Sequence, residues 1–519
     1  MTGDAGSSEG TGAGELIRKD GKGTDKENSC GETDPGYNSG GTDTEGRENG
    51  MVKFGTGGWR AVIGDEFTKE NIQRLAKALC SKMKDEGAAG KGIVMGYDRR
   101  FLSKEAMQWA GMVFAAEGVT AYLINKSSPT PLVMFYVMRH QFSYGMMITA
   151  SHNPAIYNGI KVFTAGGRDA DETQTREIEQ YLQEIKGPVA EMEYDRAKEQ
   201  GLIQEIYPLN EYLDSIMDTV DMEAIRERGL RVALDPMYGV SETSLRVILQ
   251  TARCEVATIH DRHDTLFGGH LPSPSAATLR SLQNYVMDGH YDIGIATDGD
   301  ADRIGIIDDT GRFLHPNEIL VLLYYYLEKY KGWRGPAVRN ICTTHVLDKV
   351  AESFGEDCYE VPVGFKHISA KMNETDAVIG GESSGGLTVR GHIRGKDGIY
   401  AAMLLVEMIA VTEKKLSEII RDLEREYGPI YMEERDYHFN QEKKERIQKT
   451  LLDEKKLPRL PYEIDHVSYL DGSKVYFKDG GWVIARFSGT EPLLRIFCER
   501  SRPEEAKNIC EHYEAFLEL

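Results

Sequence analysis

The chain has 519 residues, of which 40% are hydrophobic, and a formal net charge of −21. That length exceeds one ordinary domain and points to roughly three or four. The acidic balance argues against nucleic acid and anionic membranes as partners, and no run nears the roughly 18 apolar residues that span a bilayer.

Residues 1–50 are rich in Gly, Ser, Thr, Asp and Glu and poor in large apolar side chains. They are expected to be disordered, because too little apolar surface is available to offset the entropy of ordering. Their start has neither the basic patch nor the apolar core of a signal peptide. Seven scattered cysteines form no CxxC pair. Reduced thiols and a cytoplasmic location are expected.

From residue 51 short apolar strands alternate with amphipathic helices. The first unit, 51–205, is expected to hold strands at 93–95, 121–124 and 146–149, with helices over 104–117 and 132–139. The rhythm restarts in a second unit, 206–335, with strands at 230–236, 255–259 and 293–297. A third unit, 336–428, has strands near 339–344 and 377–379. Residues 429–519 differ, with strands at 437–440, 475–477, 482–487 and 494–498 flanked by helices. The pattern predicts three similar mixed α/β domains and a C-terminal α+β domain. Each of the first three places a distinctive loop at a strand's carboxyl end, where ligands bind in open α/β sheets. The recurrence is one of architecture, with no repeat of residues.

The first of these loops is Thr149-Ala150-Ser151-His152-Asn153-Pro154. Ser151 is a candidate nucleophile, and a serine hydroxyl needs a base, a metal or a charged neighbour to react. A polar turn before Pro154 explains the same residues without chemistry. Lys161 follows closely and is suited to offset phosphate charge, or else is a solvated lysine.

The second loop is Asp298-Gly299-Asp300-Ala301-Asp302-Arg303. Alternate carboxylates in an extended turn face one side and can converge on a cation. An EF-hand would need glycine at position six and glutamate at twelve; Arg303 and Asp309 stand there. Hard oxygen donors in small number suit Mg²⁺.

Glu382 and Ser384 lie in a third, glycine-flanked loop, 380–386, where a carboxylate and a hydroxyl two apart can clasp vicinal sugar hydroxyls. An ordinary glycine turn is the alternative. In the last unit Arg486, Ser488, Gly489 and Thr490 follow a strand. Backbone N–H groups in a glycine turn form an anion nest, and an Arg fork grips phosphate. Arg495, on the next strand, adds a second cation. A plain hairpin would ask only for Gly489.

These four loops, in this order, resemble the α-D-phosphohexomutase family. The resemblance runs from about residue 51 to the end and includes Gly55-Thr56-Gly57-Gly58-Trp59-Arg60. It implies four domains around a central cleft, one loop from each, and Arg60 near a phosphorylated Ser151 with His152 beside it. It also implies Mg²⁺ held by Asp298, Asp300, Asp302 and a phosphoserine oxygen, with Arg303 orienting the phosphoryl group. Glu382 and Ser384 would read the sugar and the Arg486 loop would bind phosphate.

Gly386 stands where bifunctional members usually carry histidine. Gly364-Phe365-Lys366 and 392–398 are closer to the glucose-specific branch. The missing histidine makes Lys366 a candidate general base, or a phosphate-contacting cation. The implied reaction interconverts glucose 1-phosphate and glucose 6-phosphate through glucose 1,6-bisphosphate. Phosphomannomutase, phosphopentomutase and a non-catalytic sugar-phosphate binder remain alternatives. Small sugar phosphates, a monomer or homodimer, and no nucleic acid or membrane are the expected partners and state.

Overall fold

A computed structural model describes residues 52–55, 57–487 and 493–519. The expectations for residues 1–50 and for Ser488, Gly489 and Thr490 fall outside them.

Four sheets follow one another along the chain. In the first, the strand Tyr144–Ile148 lies parallel to Ile93–Tyr97 on one side and antiparallel to Tyr157–Thr164 on the other. Its side chains alternate between two cores. Met146 and Ile148 pack under the helices Lys69–Asp85 and Ser103–Ala116, and Met147 packs on the side of the helix Thr130–Arg139. Both faces are covered, so the run carries no polar residue, as buried parallel-type strands do.

The second and third sheets repeat this plan. Ile293–Thr297 is parallel to Arg231–Asp235 and antiparallel to Ile304–Asp308. Ile379–Gly381 is parallel to Ala337–Asn340 and antiparallel to Leu387–Val389. In all three, the distinctive loop is the hairpin between the last parallel strand and its antiparallel partner. The neighbouring parallel strand ends each time in an Asx turn. Asp98 accepts the N–H of Arg100, Asp235 that of Met237, and Asn340 that of Cys342, at 2.8–2.9 Å. A residue-level echo therefore exists after all. It is one side chain per unit, too sparse to register as a repeat.

The fourth sheet is wholly antiparallel, in the order Tyr431–His438, Leu493–Arg500, Trp482–Phe487, Ser473–Phe477, Ile464–Ser468. The helix Pro503–Leu517 covers one face. Its first strand starts six residues before the expected 437, and Ile464–Ser468 was not expected. Both are half-exposed edge strands with few large apolar residues, which leaves little apolar signal.

The core is continuous across the first three units. Two helices hold it together, Pro316–Lys329 and Gly398–Thr412, each buried nearly all round. Helices that are apolar on every side belong in a protein interior. The one charge in the buried stretch of the second, Glu407, pairs with Lys331 at 2.6 Å and accepts the Asp221 N–H at 2.7 Å.

Candidate active site

Ser151 is 1% exposed and sits at φ +53°, a left-handed conformation that a non-glycine residue adopts at some cost. What holds it there is Arg100. This buried guanidinium donates to the carbonyls of Ser151 and Asn153 at 2.6 Å, Pro154 at 2.9 Å and Tyr157 at 3.0 Å. Asp98 stands 3.3 Å from its Nε, and Asp98 also accepts the hydroxyls of Thr149 and Ser103. The serine hairpin is thus clamped by its own carbonyls.

The Ser151 hydroxyl donates to Asp298 Oδ2 at 2.9 Å. Asp298 Oδ1 accepts the N–H groups of Asp302 and Arg303, which sets the turn of the acidic loop. Gly299 lets this loop approach: a Cβ there would lie 2.8 Å from the Ser151 carbonyl. Ligand oxygens of Asp298, Asp300 and Asp302 lie within 4.8 Å of one another.

Two lysines neutralise the cluster. Lys161 donates to Asp300 at 2.6 Å and Asp302 at 2.7 Å, and Lys396 lies 3.0 Å from Asp302. Thr130, at the start of its helix, donates its hydroxyl to Asp300 Oδ2 at 2.6 Å. Even so, Asp300 Oδ1 and Asp302 Oδ1 are buried with no hydrogen-bond partner among the described residues. Unpaired buried carboxylate oxygens are costly. A hard divalent cation suits them, since it takes oxygen ligands and completes its shell with water or phosphate. The three aspartates therefore fit a metal.

Burial and neighbouring charges push the site's titratable groups in different directions. Burial, then repulsion from Asp300 and Asp302, holds the Asp298 carboxyl well above the usual range. Burial would raise Asp302 too, but Lys161, Lys396 and Arg303 outweigh it and pull it well down. The Arg303 guanidinium, with burial and Arg60, holds the His152 imidazole far below its usual value. His152 is neutral at pH 7, with Nδ1 3.3 Å from the Ser151 hydroxyl oxygen. Arg60 bonds the Asn153 side chain at 2.5 Å.

Ser151, His152, Arg60, Lys161, Arg303 and the three aspartates are thus brought together. Lys366 is set apart from them: its amine pairs with Glu172, on the rim of a small pocket that Lys161 also lines. Glu382 is buried and accepts the N–H of Gly364 at 3.1 Å, while Ser384 is exposed beside it. The sugar loop meets the acidic one through the Ile304 N–H, which donates to the Gly385 carbonyl at 3.1 Å. Arg486 and Arg495 stand opposite each other in register. Arg486 Nε bonds Asp471 at 2.9 Å, and the same carboxylate oxygen accepts the Val363 N–H, one residue before Gly364. Asp471 therefore links the phosphate strand to the turn at Val363-Gly364, which holds Glu382.

Arg100, Thr130, Lys396 and Asp471 are site members the sequence did not single out. Asp98-Arg99-Arg100 at a strand end was a usable signal for the Asx turn. So was Gly386. A Cβ at that position would lie 2.1 Å from Lys396 Cδ, so the absent histidine and the inward lysine are one feature.

Comparison with known proteins agrees with this geometry. Four phosphoglucomutase/phosphomannomutase descriptions match in order: alpha/beta/alpha domain I over residues 51–188, domain II over 210–311, domain III over 315–427 and the C-terminal domain over 441–515. A phosphoglucomutase/phosphomannomutase of Thermococcus kodakarensis is 31% identical, over 88% of this chain and 96% of its own. A phosphoglucosamine mutase of Finegoldia magna is 28% identical, over 87% and 95%. A solved structure from Thermus thermophilus, assigned there as a phosphomannomutase, aligns with TM-score 0.79 and 30% identity over 90% of this chain and 99% of that one. No helix among the described residues is long and apolar enough to cross a membrane. With the four-sheet architecture and four domain matches in order, the chain belongs to the phosphoglucomutase/phosphomannomutase family of the α-D-phosphohexomutase superfamily, intramolecular phosphotransferases of the isomerase class.

Proposed function

We propose that this chain is a phosphoglucomutase that works through a phosphorylated Ser151. The observation that carries the reading is the Ser151 hydroxyl, 2.9 Å from Asp298, in a buried acidic cluster with two unpaired carboxylate oxygens. Asp298, Asp300 and Asp302 would hold Mg²⁺, which when bound supplies positive charge for the transferring group.

The chain's own residues do the rest. Phosphoserine gives up its phosphoryl group to the free hydroxyl of a hexose phosphate: the serine O–P bond breaks and a sugar O–P bond forms. The hydroxyl's proton passes to a base. Glucose 1,6-bisphosphate results, and its other phosphate returns to Ser151. Lys161, Arg303 and Arg60 surround the serine with positive charge, where electrostatic stabilisation is the main source of rate. Lys366, neutral and released from Glu172, is the candidate for the proton, whereas Lys396 stays a cation on Asp302. Arg486, with Arg495, would grip the non-reacting phosphate, and Glu382 and Ser384 the sugar hydroxyls.

The preference for glucose rests on Gly364-Phe365-Lys366 and residues 392–398, which are similar to the glucose-specific branch, and on Gly386 where bifunctional members usually carry histidine. Relatives named for mannose and glucosamine substrates keep those sugars as the second reading. Relative kcat/KM for glucose, mannose, glucosamine and ribose phosphates decides it; a higher value for any sugar but glucose refutes the assignment. For the mechanism, intact mass should show one phosphate on the wild type and none on Ser151→Ala, which should lose turnover. Because φ is +53° at this position, Ser151→Gly serves as the strain-free control. A fully active alanine or glycine variant ends the proposal.

A further inference from the structure

A cavity of about 420 Å³ lies behind the active site. Its walls are the far ends of the elements whose near ends build the site. The helix Thr130–Arg139 touches Asp300 with its first residue and lines the cavity with Met138, about 12 Å along its axis. The helix Phe365–Thr375 carries Lys366 at one end and offers Ser369, Met372 and Asn373 to the cavity from further along. The segment after Leu387–Val389 lends Arg390, His392 and Arg394 before it delivers Lys396 to Asp302.

The lining is chemically mixed. Arg394 is exposed and pairs with no carboxylate among the described residues. Arg390 bonds only the Asp376 carbonyl and its largely exposed carboxylate, at 3.0 and 3.1 Å, a surface pair of little worth that a ligand can replace. On a chain of net charge −21, two available guanidiniums at one opening are a local exception. The Ser369 hydroxyl is buried and has no partner among the described residues. Val389 and Ile393 with two methionines make the floor, and methionine thioethers adapt to a flat ring. The volume lies in the usual range for small-molecule sites.

We propose that this cavity is a second ligand site, distinct from the active site, that takes a nucleoside monophosphate. The phosphate lies on Arg390 and Arg394, the base over Met138 and Met372, and its polar edge on Asn373 and Ser369. Occupancy is felt at the front through the connecting segment. Thr388 Oγ1 bonds the Ile393 carbonyl at 2.7 Å and His392 bonds Asp397, the residue after Lys396, at 2.6 Å, so the ligand presses on the segment that carries Lys396. The proposal does not depend on which sugar the active site prefers.

The test is calorimetric titration of adenosine 5′-monophosphate into the full chain with Mg²⁺, with and without saturating glucose 1-phosphate. Saturable binding is expected to persist when the sugar phosphate is present and to weaken at least about tenfold in Arg394→Glu. Arg390→Glu, a substitution at the exposed rim, should weaken it as well, and inorganic phosphate alone should bind less tightly than the nucleotide. No saturable binding through millimolar nucleotide overturns the proposal. So does binding that glucose 1-phosphate abolishes, which would place the nucleotide in the active site, and so does equal binding by both folded variants.

Discussion

Replacing Arg100 by alanine should damage both stability and turnover, although Arg100 touches no reacting atom. Its guanidinium makes four hydrogen bonds to backbone carbonyls of the serine hairpin, and both it and Asp98 are fully buried at the side chain. Four charge-assisted bonds, if independent, would total about 6–12 kcal/mol. They share one cation and one loop, so they are not independent. The better guide is the cost of leaving one partner of a buried ion pair behind, about 3–5 kcal/mol. Asp98 is the group left behind, with only Thr149, Ser103 and the residue-100 N–H still on it. Without the clamp, the bonds to Thr149 and Asp298 are left to hold Ser151 at φ +53°. A displacement of about 1 Å at the reacting oxygen is enough for a rate loss of about 100-fold. Urea unfolding of the metal-free and Mg²⁺-loaded protein gives the first quantity and kcat/KM the second. Arg100→Lys should fall between, since one ammonium cannot span four carbonyls. An alanine variant that keeps turnover within twofold of wild type would show that the carbonyl clamp does not position the serine.

Asp300→Asn should lose Mg²⁺ affinity and rate together, because it weakens one of the two unpaired oxygens and the Lys161 contact; unchanged activity in excess chelator would refute the metal assignment. Arg486→Ala should weaken all hexose phosphates alike, by about 1.5–3 kcal/mol, whereas Glu382→Gln should change the ranking among glucose, mannose and galactose phosphates. If the two effects are exchanged, the roles of the loops are exchanged. Lys474 gives a pH signature at the junction of the third and fourth units. Burial and Arg339 pull its amine from 10.5 to about 8, despite the Glu360 carboxylate 2.7 Å away. Between those two values the unfolded chain binds a proton that the folded chain has shed, so stability should rise with pH across that window, by up to about 3 kcal/mol. Denaturation midpoints from pH 7 to 10 should show the rise in wild type and not in Lys474→Met.

What could be read from the sequence was what is local in it. Ser151 and the aspartate triad are contiguous motifs at the ends of apolar runs, and the strand Ile293–Thr297 lies where the pattern put it. Arg100 and Thr130 act on residues 51–57 and 170 positions away, and Lys396 and Asp471 act across unit boundaries. No spacing rule reports contacts set by tertiary packing. The two edge strands of the last unit failed for the opposite reason, since the fold asks little of their side chains.

The charges of the site also fix an order of events. Lys161 is made long before Asp300 and Asp302, and the aspartates before Lys396. At a synthesis rate of about 5–20 residues per second, the first lysine waits roughly 7–28 s for its carboxylates. Until then the serine hairpin has its Arg100 clamp but neither metal ligands nor substrate loops. A prematurely terminated chain is therefore chemically silent: it carries the nucleophile, yet it has no means to load that serine or to spend a phosphoryl group on water.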